Sequence, residues 1–335
     1  MQEPQFLDEG IQNYKKRFGE LPSTASFCVQ HKTFQSSDIE GVISYCIDSK
    51  CAVVFGDPLT SEESKILLAK AFHVWCKQEG LEVMYLLVSE EFAQNMIREE
   101  RGCFLEVAEE FFLNPASEPT KGRKGRGLRG KLKHAEEAQL SFQEYRGNDL
   151  RLEKELQAIS DDWIKRRKGP QIYMASGELF KEKSGMRWFY ALQGTKIVGV
   201  LLLETLSSQT NAIVRRVPII EEAPEGTSEY LIYTTWEQLQ KEGITRYSLS
   251  FAQKGHVNKM GGFSFLMKQV IRCIFKCINA VFHLSHRREY WVKFQPEERS
   301  LFLLANKKRL SLRHAKALIH VFHMHLQNKK PPPRV

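Results

Sequence analysis

The sequence predicts a mixed α/β (α+β) fold built from two similar units in tandem, each with a mixed sheet, followed by a basic C-terminal helix. Three observations carry this. Residues 41–98 read as hairpin, helix, strand and helix; residues 187–251 repeat the hairpin, helix and strand; a glycine-rich basic stretch lies between them. The implied divisions are 1–148, 149–306 and 307–335.

In the first unit, Gly41 to Cys46 and Cys51 to Phe55 predict strands, because β-branched and aromatic residues flank the short polar turn Asp48-Ser49-Lys50. Ser61 is placed to cap a helix over Ser64 to Lys77, with Ile66, Leu67, Ala69 and Phe72 at helical spacing. Glu82 to Ser89 reads as a buried strand and Glu90 to Arg98 as a helix. The second unit opens with a helix carrying Leu152, Leu156, Ile159 and Trp163. Arg187 to Gln193 and Lys196 to Leu206 then form a hairpin across Gly194-Thr195, followed by a helix over Thr227 to Glu242 and a strand over Arg246 to Phe251.

The chain has 335 residues, 42% hydrophobic and 27% charged, which permits a substantial core and excludes disorder throughout. Its net charge of +9 is concentrated at one end: residues 299–335 hold nine cations and no acid. That terminus suits a polyanion, RNA or an anionic membrane, and equally a solubilising tail. Seven cysteines without CxxC spacing indicate neither a disulfide framework nor structural zinc, and fit a reducing cytoplasm. The start, Met1-Gln2-Glu3-Pro4-Gln5, lacks the basic and apolar regions of a secretory signal. No window of about 20 residues is free of charge, so any lipid substrate is expected to be met from the membrane surface.

Lys121 to Lys133 contains seven cations, four glycines and no acid. Glycine lets a backbone approach a ligand closely and Arg or Lys neutralises phosphate, so the stretch reads as a phosphate-binding loop or as a solvated one. It is not a P-loop, because Leu132 follows Gly130-Lys131 where Ser or Thr is required.

Two further stretches are the most specific: Val54-Phe55-Gly56-Asp57-Pro58-Leu59, and Ala223-Pro224-Glu225-Gly226-Thr227-Ser228-Glu229-Tyr230-Leu231-Ile232. Between and after them stand Leu128-Arg129 to Ala138, Ile159-Ser160-Asp161-Asp162-Trp163, Asn211-Ala212-Ile213-Val214-Arg215 and Tyr290-Trp291-Val292-Lys293-Phe294-Gln295-Pro296. In order and spacing these motifs resemble the C-terminal catalytic domain of the bacterial phosphatidylglycerol lysyl- and alanyltransferases, over roughly Phe27 to Ala305. In that resemblance Gly56-Asp57-Pro58 is the turn after a strand, and Leu128 to Ala138 is a basic helix between the halves.

The resemblance implies two tandem acetyltransferase-like (GNAT-type) units that transfer an amino acid from aminoacyl-tRNA to a phosphatidylglycerol-like lipid at the cytoplasmic membrane face. It implies no cofactor beyond the tRNA donor, no metal, and no membrane-spanning portion in this chain. Gly122-Arg123-Lys124-Gly125-Arg126-Gly127 keeps two glycines of an acyl-CoA loop but lacks its leading Arg or Gln, giving a CoA donor little support. The chain departs from the family at Ala212, where an acid is expected, at Trp291, where a lysine is expected, at Glu298-Arg299-Ser300-Leu301, and at Ser248 to Gln253. These departures keep open a peptide or small-amine acceptor, or a degenerate RNA- or membrane-binding module.

The candidate catalytic residues are Arg215, Glu229 and Lys293. Arg215 and Lys293 would hold the terminal adenosine phosphate or steady a tetrahedral intermediate. Glu229 would recognise an amino group, or act as a base if burial raised its pKa; the alternative is a carboxylate favoured by the helix dipole. Lys124, Arg126, Arg129, Asp57 and His256 are the candidate substrate contacts, with a structural turn the main reading for Asp57. His314, His320, His323 and His325 lack a carboxylate nearby in sequence and do not suggest a metal site. Phe263 to Leu284 and Ser311 to Gln327 both read as basic amphipathic helices, suited to an anionic membrane or to a core with a solvated face.

Overall fold

A computed structural model describes residues 13–14, 17–18, 32–100, 102–166, 178–180, 183–206, 210–253, 257–282, 285–307, 310–311, 313–314, 316–318 and 320. The first half contains β1 (Lys32–Phe34), β2 (Ile43–Asp48), β3 (Cys51–Phe55), α1 (Lys65–Gln78), β4 (Glu82–Ser89), α2 (Glu90–Glu99) and β5 (Cys103–Leu113). Next come α3 (Arg126–Glu137), β6 (Leu140–Tyr145), α4 (Leu150–Arg166), β7 (Met186–Gln193), β8 (Lys196–Leu206) and β9 (Asn211–Arg216). The chain continues through α5 (Thr227–Lys241), β10 (Arg246–Gln253), β11 (Met260–Gly261), α6 (Phe265–Phe282), α7 (Ser285–Val292) and β12 (Glu297–Ala305).

The expected hairpins are present, β2–β3 in the first half and β7–β8 in the second, and each half also contains an antiparallel pair followed by a parallel strand pair bridged by a helix. β2 and β3 form the first hairpin and β3 runs parallel to β4 across α1. β8 and β9 are antiparallel, and β9 runs parallel to β10 across α5. The first hairpin turns at Ser49-Lys50, both left-handed with φ of 49° and 59°, as a two-residue turn between right-twisted strands requires.

The two halves form one sheet rather than two. Its order is β1-β2-β3-β4-β12-β5-β10-β9-β8-β7-β6, with β11 off the path on β5. β12, from the far end of the chain, inserts antiparallel between β4 and β5. β6, which precedes the expected division at residue 148, pairs with β7 in the second half of the sheet. Glu110, at the join, is fully buried. Its Oε2 accepts from Arg246 Nη2 at 2.9 Å and Arg299 Nε at 3.0 Å, tying β10, β5 and β12 with one carboxylate.

Helices cover the sheet on both sides. α1 and α2 bury Leu68, Phe72, Phe92 and Met96 against Val54, Tyr85 and Phe302. α5 buries Leu231, Ile232, Trp236 and Leu239 against Leu201, Leu203, Ala212, Val214 and Tyr247. Trp236 and Tyr247 stack at 5.8 Å with 6° between their planes. Each such fully buried large side chain contributes roughly 1.5–3 kcal/mol. α4 covers the opposite face through Leu156 and Ile159 on Trp188, Val200 and Leu202.

Several expectations are revised. Ser61 does not cap through its side chain: its hydroxyl donates to Ser64 Oγ, and a short 3-10 turn at Glu62–Ser64 precedes α1. The loop reading of the basic stretch holds only to Gly125; from Arg126 it is helix, as the resemblance implied for Leu128 to Ala138, because Leu128, Leu132 and Ala135 bury one side of it. Near the C-terminus the described inward residues are His314, Ala317 and Leu318, whereas Leu312, Ala315 and Ile319, expected inward, lie outside the described residues. His314 and His320, which have no carboxylate nearby in sequence, meet Glu82 and Asp48 from distant strands.

Candidate active site

The N-terminus of α5, the middle of α3 and the end of α7 converge on one cluster of charged and hydroxyl side chains. Three local features bring them there. Gly226, at φ +88°, caps α5 in a left-handed conformation, and a Cβ on it would lie 2.0 Å from the Lys131 carbonyl oxygen, so α3 crosses directly over the start of α5. Trp291 and Phe294 are buried in the α5-side core and anchor α7. Gln295 Nε2 donates to the carbonyls of Pro119 and Lys121 at 2.8 and 3.0 Å, tying the end of α7 to the basic turn before α3.

Within the cluster, Lys293 Nζ donates to Glu229 Oε1 at 2.5 Å and sits 3.9 Å from the centre of the Tyr290 ring. Tyr290 OH donates to Ser228 Oγ at 2.9 Å, and Ser228 Oγ donates to Glu229 Oε2 at 2.9 Å. Tyr290, Ser228, Glu229 and Lys293 thus form a continuous chain. Burial pushes the Glu229 carboxyl up, but Lys293, Ser228 and its own backbone N–H outweigh burial and hold it below the usual carboxylate range. Glu229 is therefore a carboxylate at neutral pH in this arrangement, not a base with a raised pKa. Burial first, then the neighbouring Glu229 charge, pushes the Tyr290 phenol well up.

Above this chain, Glu225 binds Lys131 Nζ through one oxygen and His134 Nδ1 at 2.7 Å through the other. Lys131 and His134 together hold the Glu225 carboxyl below the usual range, and Glu225, with Glu229 further away, raises Lys131. The first amides of α5 are also engaged. Thr227 N donates to Pro224 O at 3.2 Å, and Glu229 bonds its own backbone N–H.

Of the residues singled out in sequence, Glu229 and Lys293 meet here. Arg129 lies alongside, donating to the carbonyls of Thr120 and Gly122 and so bracing the basic turn. Lys124 and Arg126 are exposed at the start of α3. Arg215 is elsewhere. Ala212 and Val214 on β9 face α5, whereas Arg215 salt-bridges Glu204, whose register partner Ile213 points to the other face. Next to it, Arg216 Nη1 donates to Ser160 Oγ of α4 at 3.1 Å.

Asp57 is in the first half, bonded to Ser89 N at 2.8 Å, Ser89 Oγ at 2.7 Å and Lys65 Nζ at 3.3 Å. It joins the end of β3 to the starts of α1 and α2. His256 lies outside the described residues. Sequence reasoning did not single out Lys131 or His134 as site residues, because they sit in a charge-rich run; their spacing of three, one helical turn, is the signal that pairs them. Among the described residues no group of three or more His, Cys, Asp or Glu side chains is arranged to hold a metal, and no helix is long and apolar enough to cross a membrane.

Comparison with known proteins agrees with this architecture. The L-PGS structure from Bacillus licheniformis superposes with a TM-score of 0.76 at 21% identity, covering 97% of each chain. A C-terminal domain from Agrobacterium fabrum gives a TM-score of 0.69 at 18% identity, covering 86% of this chain and 87% of that one. In sequence, a phosphatidylglycerol lysyltransferase of Staphylococcus xylosus is 22% identical over 288 residues, 82% of this chain and 33% of that protein. The chain therefore spans about one third of the length of such relatives. The family described as "Phosphatidylglycerol lysyltransferase, C-terminal" matches residues 12–305, and the chain belongs to that family.

Proposed function

We propose that this protein is an aminoacyltransferase that moves an amino acid from the terminal ribose of an aminoacyl-tRNA to a phosphatidylglycerol-like lipid, working at the membrane surface. The observation that carries the proposal is the Lys293–Glu229–Ser228–Tyr290 chain beneath α3, in a member of a family described by phosphatidylglycerol lysyl transfer.

The reaction exchanges one ester for another. A lipid hydroxyl attacks the aminoacyl carbonyl, a carbon–oxygen bond forms to the lipid, the bond to the ribose oxygen breaks, and the proton passes from the lipid hydroxyl to the ribose. Negative charge develops on the carbonyl oxygen between these events, and a fixed ammonium such as Lys293 stabilises it. Glu229, ionised, is matched to the cationic amino group of the transferred residue. Ser228 and Tyr290 offer hydroxyls through which the proton is relayed. Lys124 in the turn before α3, and Arg126 and Lys133 on it, are exposed cations suited to the tRNA phosphates.

The geometry also supports a donor other than acyl-CoA. Acetyltransferases seat the donor phosphates on the amides at the start of this helix. Here α3 lies across that position at Gly226, and the amides of Thr227 and Glu229 are bonded internally. Arg215, salt-bridged on the opposite face, enters the proposal as a residue that orders β9 rather than one that touches the reacting ester.

The test is transfer of label from a pool of radiolabelled aminoacyl-tRNAs into the organic extract of phosphatidylglycerol vesicles, with Lys293→Ala as control. Label in lipid that the control loses supports the proposal, and omitting one amino acid at a time identifies the donor. Ester loss into the aqueous phase would point to a peptide or amine acceptor. An intact ester with no lipid product would leave a binding module.

A further inference from the structure

α6 is apolar on two faces, and the core explains only one of them. Met267, Ile271 and Phe275, at i, i+4 and i+8, pack against the cluster that contains Val53, Leu105, Leu301 and Leu303. Leu266 and Val270, one position earlier in successive turns, point away from that cluster and are 76% and 51% exposed; Phe265 is 74% exposed. Leu266 and Phe265 are the two most exposed large apolar side chains among the described residues, and with Val270 they sit within two turns of one helix. Solvent is a poor surrounding for such a group, and a stripe of this kind marks a contact surface.

The charges beside the stripe say what the contact is. α6 contains no Asp or Glu, while Lys268, Arg272 and Lys276 recur every four residues along it. None of the three makes a salt bridge to a described residue. Arg272 and Lys276 are exposed, beside the apolar stripe rather than amid acids. A surface with exposed aromatic and aliphatic residues flanked by unopposed cations is complementary to a layer whose interior is apolar and whose face is anionic. RNA phosphates would satisfy the cations and leave Phe265, Leu266 and Val270 in water.

We propose that α6 is a docking helix that lies flat on an anionic phospholipid bilayer, with Phe265, Leu266 and Val270 among the upper acyl chains and Lys268, Arg272 and Lys276 at the head-group phosphates. The choice of a bilayer rests in part on the lipid acceptor proposed above. Chain continuity links the two: α7 begins three residues after α6 ends and carries Tyr290 into the cluster, with Lys293 directly following. Docking through α6 brings the Lys293–Glu229 site to the surface where the acceptor lies.

The test uses the full chain and sedimentation with vesicles of equimolar phosphatidylglycerol and phosphatidylcholine, or of phosphatidylcholine alone. The wild-type protein is expected to pellet with the mixed vesicles and to remain in solution with the neutral ones. Leu266→Asp with Val270→Asp is expected to lower the partition coefficient about 10-fold or more. Arg272→Ala and Lys276→Ala are expected to lower it about 5-fold each, with unchanged melting temperatures.

Undiminished vesicle binding by the Asp variant overturns the proposal. So does a wild-type dimer, seen by light scattering, that the Asp variant abolishes, since the stripe then belongs to a second copy. Loss of tRNA retention on filters in the Ala variants, with vesicle binding intact, overturns it in favour of RNA. Transfer to dihexanoyl phosphatidylglycerol dispersed as monomers separates docking from chemistry. Variants that keep this soluble reaction and lose transfer on vesicles support docking. A wild-type protein inactive in both assays that still sediments through α6 removes the transferase reading and leaves the docking helix standing.

Discussion

Lys293 and Glu229 are 64 positions apart in sequence and joined Nζ to Oε1 at 2.5 Å, with Glu229 almost wholly buried at the start of α5. Removing the ammonium leaves a buried carboxylate without its main partner. Lys293→Ala is expected to lower transfer on the order of 100-fold or more and to cost about 1–3 kcal/mol of stability. Steady-state transfer assays and urea titrations measure the two separately.

The same contact sets a pH dependence. The folded Glu229 carboxyl is held below its unfolded value of about 4.3, so its contribution is complete above that value and is lost as pH falls through the folded pKa. Melting temperatures taken from pH 7 down to pH 4 should fall more steeply for the wild-type protein than for Glu229→Gln. Parallel curves would show that the pair adds nothing to stability.

Gly226 and Gly243 both have left-handed backbones, with φ of +88° and +82°, but a Cβ at Gly243 meets nothing within 4 Å. Gly243→Ala should cost about 1 kcal/mol of backbone strain and leave transfer intact. Gly226→Ala adds a collision with α3 and should cost about 1–3 kcal/mol while also reducing transfer. Comparing the two by thermal denaturation and activity isolates the α3–α5 contact.

Glu110 holds two arginines from different strands in a fully buried position. Glu110→Gln leaves those partly exposed cations facing a neutral amide and is expected to cost about 1–3 kcal/mol. Because the seam joins both halves, the variant should still unfold in a single urea transition, at lower concentration. Two resolved transitions would mean that the halves are independent.

His314 is buried, and burial lowers its pKa against the opposing pull of Glu82. The folded imidazole therefore prefers to be neutral. Docking of this segment is strongest above the unfolded pKa of about 6.5 and weakens as pH falls through the folded value. Hydrogen exchange in the peptide spanning residues 310–320 should rise at pH 5.5 relative to pH 7.5, after correction for intrinsic rates, and His314→Leu should remove the difference.

Hairpins and α5 were legible because their signals are local: turn residues between alternating apolar runs, and apolar spacing of three and four. β5 was not, because Glu106, Glu109 and Glu110 interrupt its pattern. Those acids meet Ser300, Arg288, Arg246 and Arg299, residues far along the chain that no local window contains. In α3, composition favours a loop, since each interior glycine costs about 1 kcal/mol of helix stability; burial of Leu128 and Ala135 reverses that. Glu229 and Lys293 were legible through motif resemblance. The Arg215–Glu204 pairing was not, because it depends on which face of β9 each side chain takes.

The placement of β12 bears on how the protein is made. A ribosome releases β4 and β5 long before residues 297–305, yet the edge of β4 that faces away from β3 and the facing edge of β5 have no partner until that last strand slides between them. The nascent N-terminal half must therefore wait with two open strand edges, a state prone to mispairing and suited to chaperone capture. Its folding is expected to be slow, governed by the long sequence separation of this pairing.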